Sequence, residues 1–277
     1  MLNACATLEE QGFQITYLPV DMFGMVSAED VKNALSSDTR LVSIMLGNNG
    51  IGTIQPIAEI GTMLKSTGIL FHTDAVQAVG HIPVDVKTLG VDFLTSSAHK
   101  FNGPKGVGLL YKKQGVTLPS MIYGGGQESH LRAGTENVAG IAGAGIALTE
   151  SVMDLPASQD RLRNLTRTTI DKVRELIPDA SINGHPTTTL PGIISITIPG
   201  ISGESVMHIL DMKGICISTG SACTSGDEHP SHVLLALGLS EQQAKNTIRI
   251  SYGKYNTIDE VAAITDALAF AVKKIRR

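Results

Sequence analysis

The strongest constraint on the fold is a rhythm in the first half of the chain. Short apolar runs alternate with capped helical stretches. Residues 39–47 (TRLVSIMLG), 69–75 (ILFHTDA) and 91–98 (VDFLTSSA) each read as a buried strand. Between them, residues 27–37 open with a serine and carry Glu and Asp in the first turn. Residues 56–68 have proline at the start and glycine at the end of a helical pattern. Strand, helix and strand in succession predict an α/β fold with a largely parallel sheet. In such sheets chemistry collects at the carboxyl ends of the strands. Asn48, Asn49, Asp74, Ser97, His99 and Lys100 all fall at or just past those ends.

After residue 138 the pattern changes to a long helix of small residues, then a more charged helix over 158–176. A strand over 191–200, a helix over 203–214 and a last helix after Thr257 follow. A boundary near Leu155 divides a larger unit, 1–155, from a smaller α+β unit, 156–277. The chain carries 22 Lys plus Arg and 26 Asp plus Glu, a net charge of −4. That balance gives no reason to expect nucleic acid or a membrane as partner. No apolar stretch reaches the length of a membrane span. Cys5, Cys216 and Cys223 form no CxxC pair and no even disulfide framework, so the cytoplasm is the expected compartment.

Lys100 stands directly after a strand, at the mouth of the glycine-rich loop "HKFNGPKGVG". Lysine forms Schiff bases, and burial or cationic neighbours favour that by lowering its pKa. Asp74 lies one strand–helix–strand unit upstream, so topology can bring the two to neighbouring strand ends. A Schiff-base lysine with an aspartate aimed at a pyridinium nitrogen is the pattern expected for pyridoxal phosphate. Gln77 could reach the ring hydroxyl, and Ser97 and His99 the phosphate. Asp74 could equally be a simple cap. In "RAGTENVAG", Thr135 and nearby amides open a helix, either as an anion site or as a Thr N-cap. Cys223 sits in a run of Ser, Thr and Gly and reads as a reactive thiol on a mobile loop. Cys216, between two isoleucines, reads as a small buried hydrophobe. Arg249 lies inside a strand-like run and suits either bidentate capture of a carboxylate or an internal ion pair.

Taken together and in order, "HTDAVQAVG", "SSAHKFNGPKGVGLLY", "RAGTEN" and "TGSACTSG" closely resemble the cysteine desulfurases of the NifS/IscS type. These are class V, fold-type I pyridoxal-phosphate enzymes, and the resemblance covers essentially the whole chain. It implies a mostly parallel sheet with flanking helices plus a smaller C-terminal α+β domain carrying the cysteine loop. It implies conversion of L-cysteine to L-alanine, with the sulfur passed on as a protein persulfide, chiefly for iron–sulfur cluster assembly. Lys100 becomes the Schiff-base lysine, Asp74 the partner of the pyridine nitrogen and Gln77 that of the ring oxygen. Asn49 sits near that oxygen and the substrate carboxylate. Ser97 and His99 hold the phosphate, and Thr135 reaches the phosphate of the partner subunit in a homodimer. Arg249 clamps the substrate carboxylate. Cys223 carries the persulfide to an acceptor such as an iron–sulfur scaffold, and it could transiently ligate an iron–sulfur cluster. No resident metal site is implied.

Two departures stand out. Gly50 occupies a position where the family usually has glutamate. The opening residues 1–21 align with a helix and strand that the family reaches only after a first strand, a phosphate loop and a ring-stacking histidine. The expectation from this is a chain that binds cofactor weakly, or an inactive remnant. A third alternative is another class V enzyme, an aminotransferase or selenocysteine lyase, against which Cys223 argues because a transaminase needs no thiol.

Overall fold

The computed structural model describes residues 2–220 and 230–277. Helix α1 (Leu2–Glu10) buries none of its side chains. Residues 13–20, aligned with a strand by the resemblance, pair with no strand in the described structure. A strand exists only through its ladder, and this stretch has no ladder.

Helix α2 (Ala28–Ala34) starts as its sequence predicts. The Ser27 hydroxyl accepts from the Asp30 amide, and Glu29 and Asp30 lie at the positive end of the helix dipole. Two strand–helix–strand units follow: β1 (Leu41–Met45), α3 (Ile57–Leu64), β2 (Leu70–Asp74), α4 (Val86–Leu89) and β3 (Phe93–Ser97). Helix α3 stops at Leu64, short of the glycine at 68. Strand β4 (Gly108–Lys112) turns back against β3. The sheet order is β1-β2-β3-β4, parallel except for the last pair.

Apart from Phe93 at the start of β3, the strands are buried on one face rather than both. Val42, Ile44, Phe71, Thr73, Leu94 and Ser96 are buried, while Ser43, His72 and Thr95 on the other face are half-buried. The polar residues at alternate positions account for the difference, because a half-buried strand reads with period two. The buried face packs on Ile57, Ile60 and Leu64 of α3 and on Phe101 and Ala144.

Helix α5 (Val138–Met153) and helix α6 (Leu155–Leu176) meet at a bend of 70°. Strands β5 (Ser181–Asn183) and β6 (Ile193–Thr197) and helix α7 (Gly203–Asp211) follow. Next come β7 (Ser218–Thr219), α8 (His232–Ala236), α9 (Glu241–Lys245), β8 (Thr247–Ser251) and α10 (Asp259–Ile275). The second sheet is antiparallel, in the order β5-β6-β8-β7. It has its own core, in which Ile194, Ile196 and Ile248 meet Leu165 of α6, Leu210 of α7 and Leu268 of α10.

The two sheets are stitched by the turn after β1. Thr53 is fully buried and bridges Thr189. Its hydroxyl donates to the Phe23 carbonyl at 2.6 Å and accepts from the His185 amide at 3.0 Å. The Leu190 amide donates to the Gly52 carbonyl at 2.8 Å, and the Leu190 side chain enters the first core.

Gly61 in α3 is where α3 and α4 come closest. A Cβ at this position would collide with the Leu89 carbonyl. Gly61→Ala forces the helices apart, so it should destabilise by about 1–3 kcal/mol despite alanine's better helix propensity. Urea denaturation checks this. An increase in stability would mean that the crossing yields without cost.

Candidate active site

Parallel pairing lines up the strand ends. Met45, Asp74 and Thr95 are register partners across β1, β2 and β3. The connections that follow these strands therefore emerge together, and they hold most of the polar residues singled out in the sequence.

After β1, the turn is built by Asn48, which is buried. Its Oδ1 accepts from the Gly50 amide at 2.8 Å and the Ile51 amide at 3.1 Å. This is an Asx turn, in which a short polar side chain replaces a backbone partner. Asn48 is thus the scaffold and Asn49 the half-buried residue it presents. After β2, Asp74 Oδ1 accepts from the Val76 amide at 3.0 Å. One oxygen caps the turn, which fixes the plane of the carboxylate. Gln77 is half-buried in the same turn.

After β3 the chain enters a short 3-10 turn, Ala98–Phe101, that carries His99 and Lys100. The loop is closed at its base by the Ala98 amide donating to the Val107 carbonyl at 2.9 Å. Ser97 Oγ and His99 Nδ1 are paired at 2.9 Å, with His99 exposed. Lys100 is half-buried. Its carbonyl accepts from His81 Nε2 at 2.8 Å, and the Phe101 carbonyl accepts from Ser151 Oγ at 3.2 Å.

Arg249 comes from β8 of the second sheet, half-buried and opposite Ser195 and Ser218 in register. Its Nη1 donates to the Asn49 carbonyl at 2.9 Å and its Nη2 to Ser218 Oγ at 3.3 Å. Two residues expected to bind a substrate carboxylate, 200 positions apart, are thereby in direct contact.

Not every expected residue joins this group. Thr135 is exposed and does not cap α5. Asn137 does, its Oδ1 accepting from the Gly140 amide at 3.1 Å, because the helix begins at Val138. Cys216 is exposed rather than buried, on the stretch between α7 and β7. Its apolar neighbours Ile215 and Ile217 turn inward and it does not. Cys223 lies outside the described residues.

His72 was not anticipated. Its Nδ1 pairs with Ser43 Oγ at 2.7 Å and its Nε2 with Thr95 Oγ1 at 3.2 Å, so one ring ties three strands together two residues before Asp74. Burial lowers its pKa below the ordinary 6.5, against a smaller raising effect of Asp74. A histidine at an alternate position of an apolar strand was the available signal.

The donor set fits pyridoxal phosphate and an amino acid. A lysine amine suits the aldehyde and an oriented carboxylate suits the pyridine nitrogen. A hydroxyl–imidazole pair suits the phosphate, and a guanidinium suits a substrate carboxylate. Residues 1–264 match the family described as aminotransferase class-V. The chain is 47% identical over 276 residues to the cysteine desulfurase IscS of Methanosarcina thermophila, covering 100% of this chain and 68% of that protein. A solved NifS-like protein superposes with a TM-score of 0.91 at 37% identity, over 99% of this chain and 72% of the other. The structure of SspA in complex with cysteine gives a TM-score of 0.76 at 35% identity, over 92% of this chain and 71% of the other. The chain belongs to the aminotransferase class-V family of fold-type I pyridoxal-phosphate enzymes. Within that family it is a cysteine desulfurase, a sulfurtransferase.

The half-buried imidazole of His72 makes a pH prediction. Below 6.5 the unfolded chain takes up a proton more readily than native His72, whose pKa burial lowers. Stability is therefore lost as pH falls through that value, by at most about 1.4 kcal/mol per pH unit from this group. Melting midpoints of wild type and His72→Gln across this range check it. The wild type should decline more steeply, and parallel curves would mean that native His72 accepts the proton.

Proposed function

We propose that desulfuration takes place at the carboxyl edge of the first sheet, with Lys100 holding the cofactor and Cys223 receiving the sulfur. The observation that carries this reading is the bond from Arg249 to the Asn49 carbonyl. It joins a carboxylate-binding cation of the second sheet to the strand ends that bear Asp74 and Lys100.

Pyridoxal phosphate, when bound, supplies an electron sink for charge developing at the substrate Cα. Asp74 keeps the ring nitrogen protonated, its carboxylate oriented by the Val76 amide. Gln77 and Asn49 would take the ring oxygen, and the Ser97–His99 pair would hold the phosphate. Arg249 holds the carboxylate of L-cysteine, with Ser218 and the Asn49 carbonyl fixing the guanidinium. Once the substrate amine has replaced it, the freed Lys100 Nζ takes the proton from Cα and later returns one to the departing fragment. Cys223, as a thiolate, attacks the substrate Sγ. An S–S bond forms as the substrate Cβ–Sγ bond breaks. The electron pair of the broken bond stays with the carbon fragment, which leaves as alanine after protonation, and the sulfur remains on Cys223 as a persulfide.

The working unit is a homodimer in the cytoplasm, delivering sulfur to an acceptor protein of the iron–sulfur scaffold kind. Support for the dimer comes from α5, where Val138, Ile141, Ile146 and Met153 are exposed, and from the exposed Met121 and Tyr123 nearby in sequence. Glu128, Ser129 and His130 all have left-handed backbone, which costs non-glycine residues energy that a partner's contacts offset. A second copy covering these residues would bring Thr135 toward its cofactor phosphate.

Three variants test the assignments. Lys100→Ala should abolish borohydride-trapped cofactor on the protein, and trapping on another lysine would reject the lysine. Cys223→Ala should still bind L-cysteine but release no sulfur. Mass spectrometry of cysteine-treated wild type should find the added sulfur on residue 223, and sulfur on exposed Cys216 instead would overturn the role of Cys223. Arg249→Lys loses the forked geometry. The lost charged hydrogen bond, worth about 2 kcal/mol, should raise KM for cysteine roughly thirtyfold while the cofactor absorbance stays. An unchanged KM would mean that the arginine serves only to join the sheets.

A further inference from the structure

The turn that carries Lys100 leaves that residue's own carbonyl for an outside donor. The turn closes on the Ala98 carbonyl, which accepts from the Asn102 and Gly103 amides. The Lys100 carbonyl is met instead by the His81 ring at 2.8 Å. A carbonyl only accepts, so the imidazole proton on this side sits on Nε2. We propose that His81 is a positioning residue for Lys100, its Nε2–H fixing the peptide from which the cofactor lysine projects. This rests on the role given to Lys100 above.

The segment containing His81 is built for the task. It begins at Asp74 and winds through successive short-range bonds: Ala78 and Val79 amides to the Ala75 carbonyl, then His81 and Ile82 amides to the Ala78 carbonyl. One wound segment therefore holds the Asp74 carboxylate at one end and the imidazole at the other. Gly80 presses this segment against the lysine turn. It has a left-handed φ of +81°, and a Cβ there would stand 2.7 Å from Phe101 Cβ. The segment is also braced from α6, where Gln159 Nε2 donates to the His81 carbonyl at 2.9 Å.

The consequence is geometric. Holding the Lys100 carbonyl fixes the ψ torsion of that residue, and with it the angle at which the side chain leaves the turn. Because the holder is tied by a rigid turn to Asp74, the reach from Lys100 Nζ to the Asp74 carboxylate is set by one piece of chain. Binding a rigid ligand between two such groups depends on that reach being defined before the ligand arrives.

The experiment uses purified holoenzyme in four forms: wild type, His81→Ala, His81→Gln and Gln159→Ala. Cofactor release on dialysis and the pH midpoint of the visible absorption band are measured, with peptide mapping of borohydride-trapped cofactor and melting of the apoprotein. His81→Ala should speed cofactor release about tenfold, as loss of one hydrogen bond implies, and shift the pH midpoint, with little change in apoprotein melting. His81→Gln, whose amide N–H can donate to the same carbonyl, should recover both. A wild-type midpoint and release rate in His81→Ala, or no recovery with glutamine, would overturn the proposal. If His81→Ala does not fold, Gln159→Ala carries the test. It loosens the same segment from outside and should move the midpoint away from the wild-type value, and no shift overturns the idea. Trapping mapped to another lysine rejects the role of Lys100 itself. Trapping on Lys100 with unperturbed His81 variants rejects only the role of His81.

Discussion

Parallel pairing of three short strands is the constraint from which the rest of the site follows. Parallel strands must be joined by crossovers, so every strand in the set ends at the same edge. Here the register sets Met45, Asp74 and Thr95 side by side, and the chain leaves each strand into a connection on that edge. Each of these connections is locally closed: Asn48 builds an Asx turn, Asp74 caps its own turn, and the Ala98 amide reaches the Val107 carbonyl. The connections that bear a carboxylate, an amine and a hydroxyl–imidazole pair thereby leave the sheet at one edge. The antiparallel return of β4 belongs to the same arrangement, since it completes the loop on which Lys100 stands.

The second sheet contributes what the first cannot. Arg249, carried by β8, sets a guanidinium against the Asn49 carbonyl at the strand ends of the first sheet. It lies in a seam that is already polar and well bonded. Buried Thr53 serves two backbone groups, and the Gly52 carbonyl and Ile54 amide pair with the 188–190 stretch. In such partly dry surroundings an unmet polar group is costly, so the seam is strongly specified. The bond from Arg249 to Asn49 therefore reports a fixed relation between the sheets at this point.

Much of this was legible in the sequence because the signals are local. The Ser27 cap, the strand–helix–strand rhythm and the strand-end positions of Asp74, Ser97 and Lys100 depend on neighbours within a few residues, and they stand where the pattern put them. What failed, or was missed, depends on tertiary placement. Thr135 looked like a helix cap, but Asn137, with the shorter reach to the Gly140 amide, takes that role. Cys216 looked buried from its apolar neighbours, yet the side on which a short stretch faces the core is set by packing. His72 bridges residues on two other strands, and His81 meets a carbonyl beyond an intervening strand and helix. No periodicity announces a histidine that serves a peptide 19 positions away.

Gly50 illustrates how far a family departure can be judged from local physics. Its backbone is not left-handed, so the turn does not demand glycine for its φ. The shape of the turn comes from Asn48 Oδ1, which holds the amides of residues 50 and 51. A Cβ at position 50 would meet that same oxygen at 3.3 Å, which is tight but relieved by a small shift. A larger residue is therefore compatible with the turn, and the glycine leaves Asn48 and the Asn49 carbonyl in the arrangement that Arg249 uses. The difference is one of side-chain chemistry at the rim of the site rather than of backbone shape. The scaffold that presents Asn49 is intact with glycine in place.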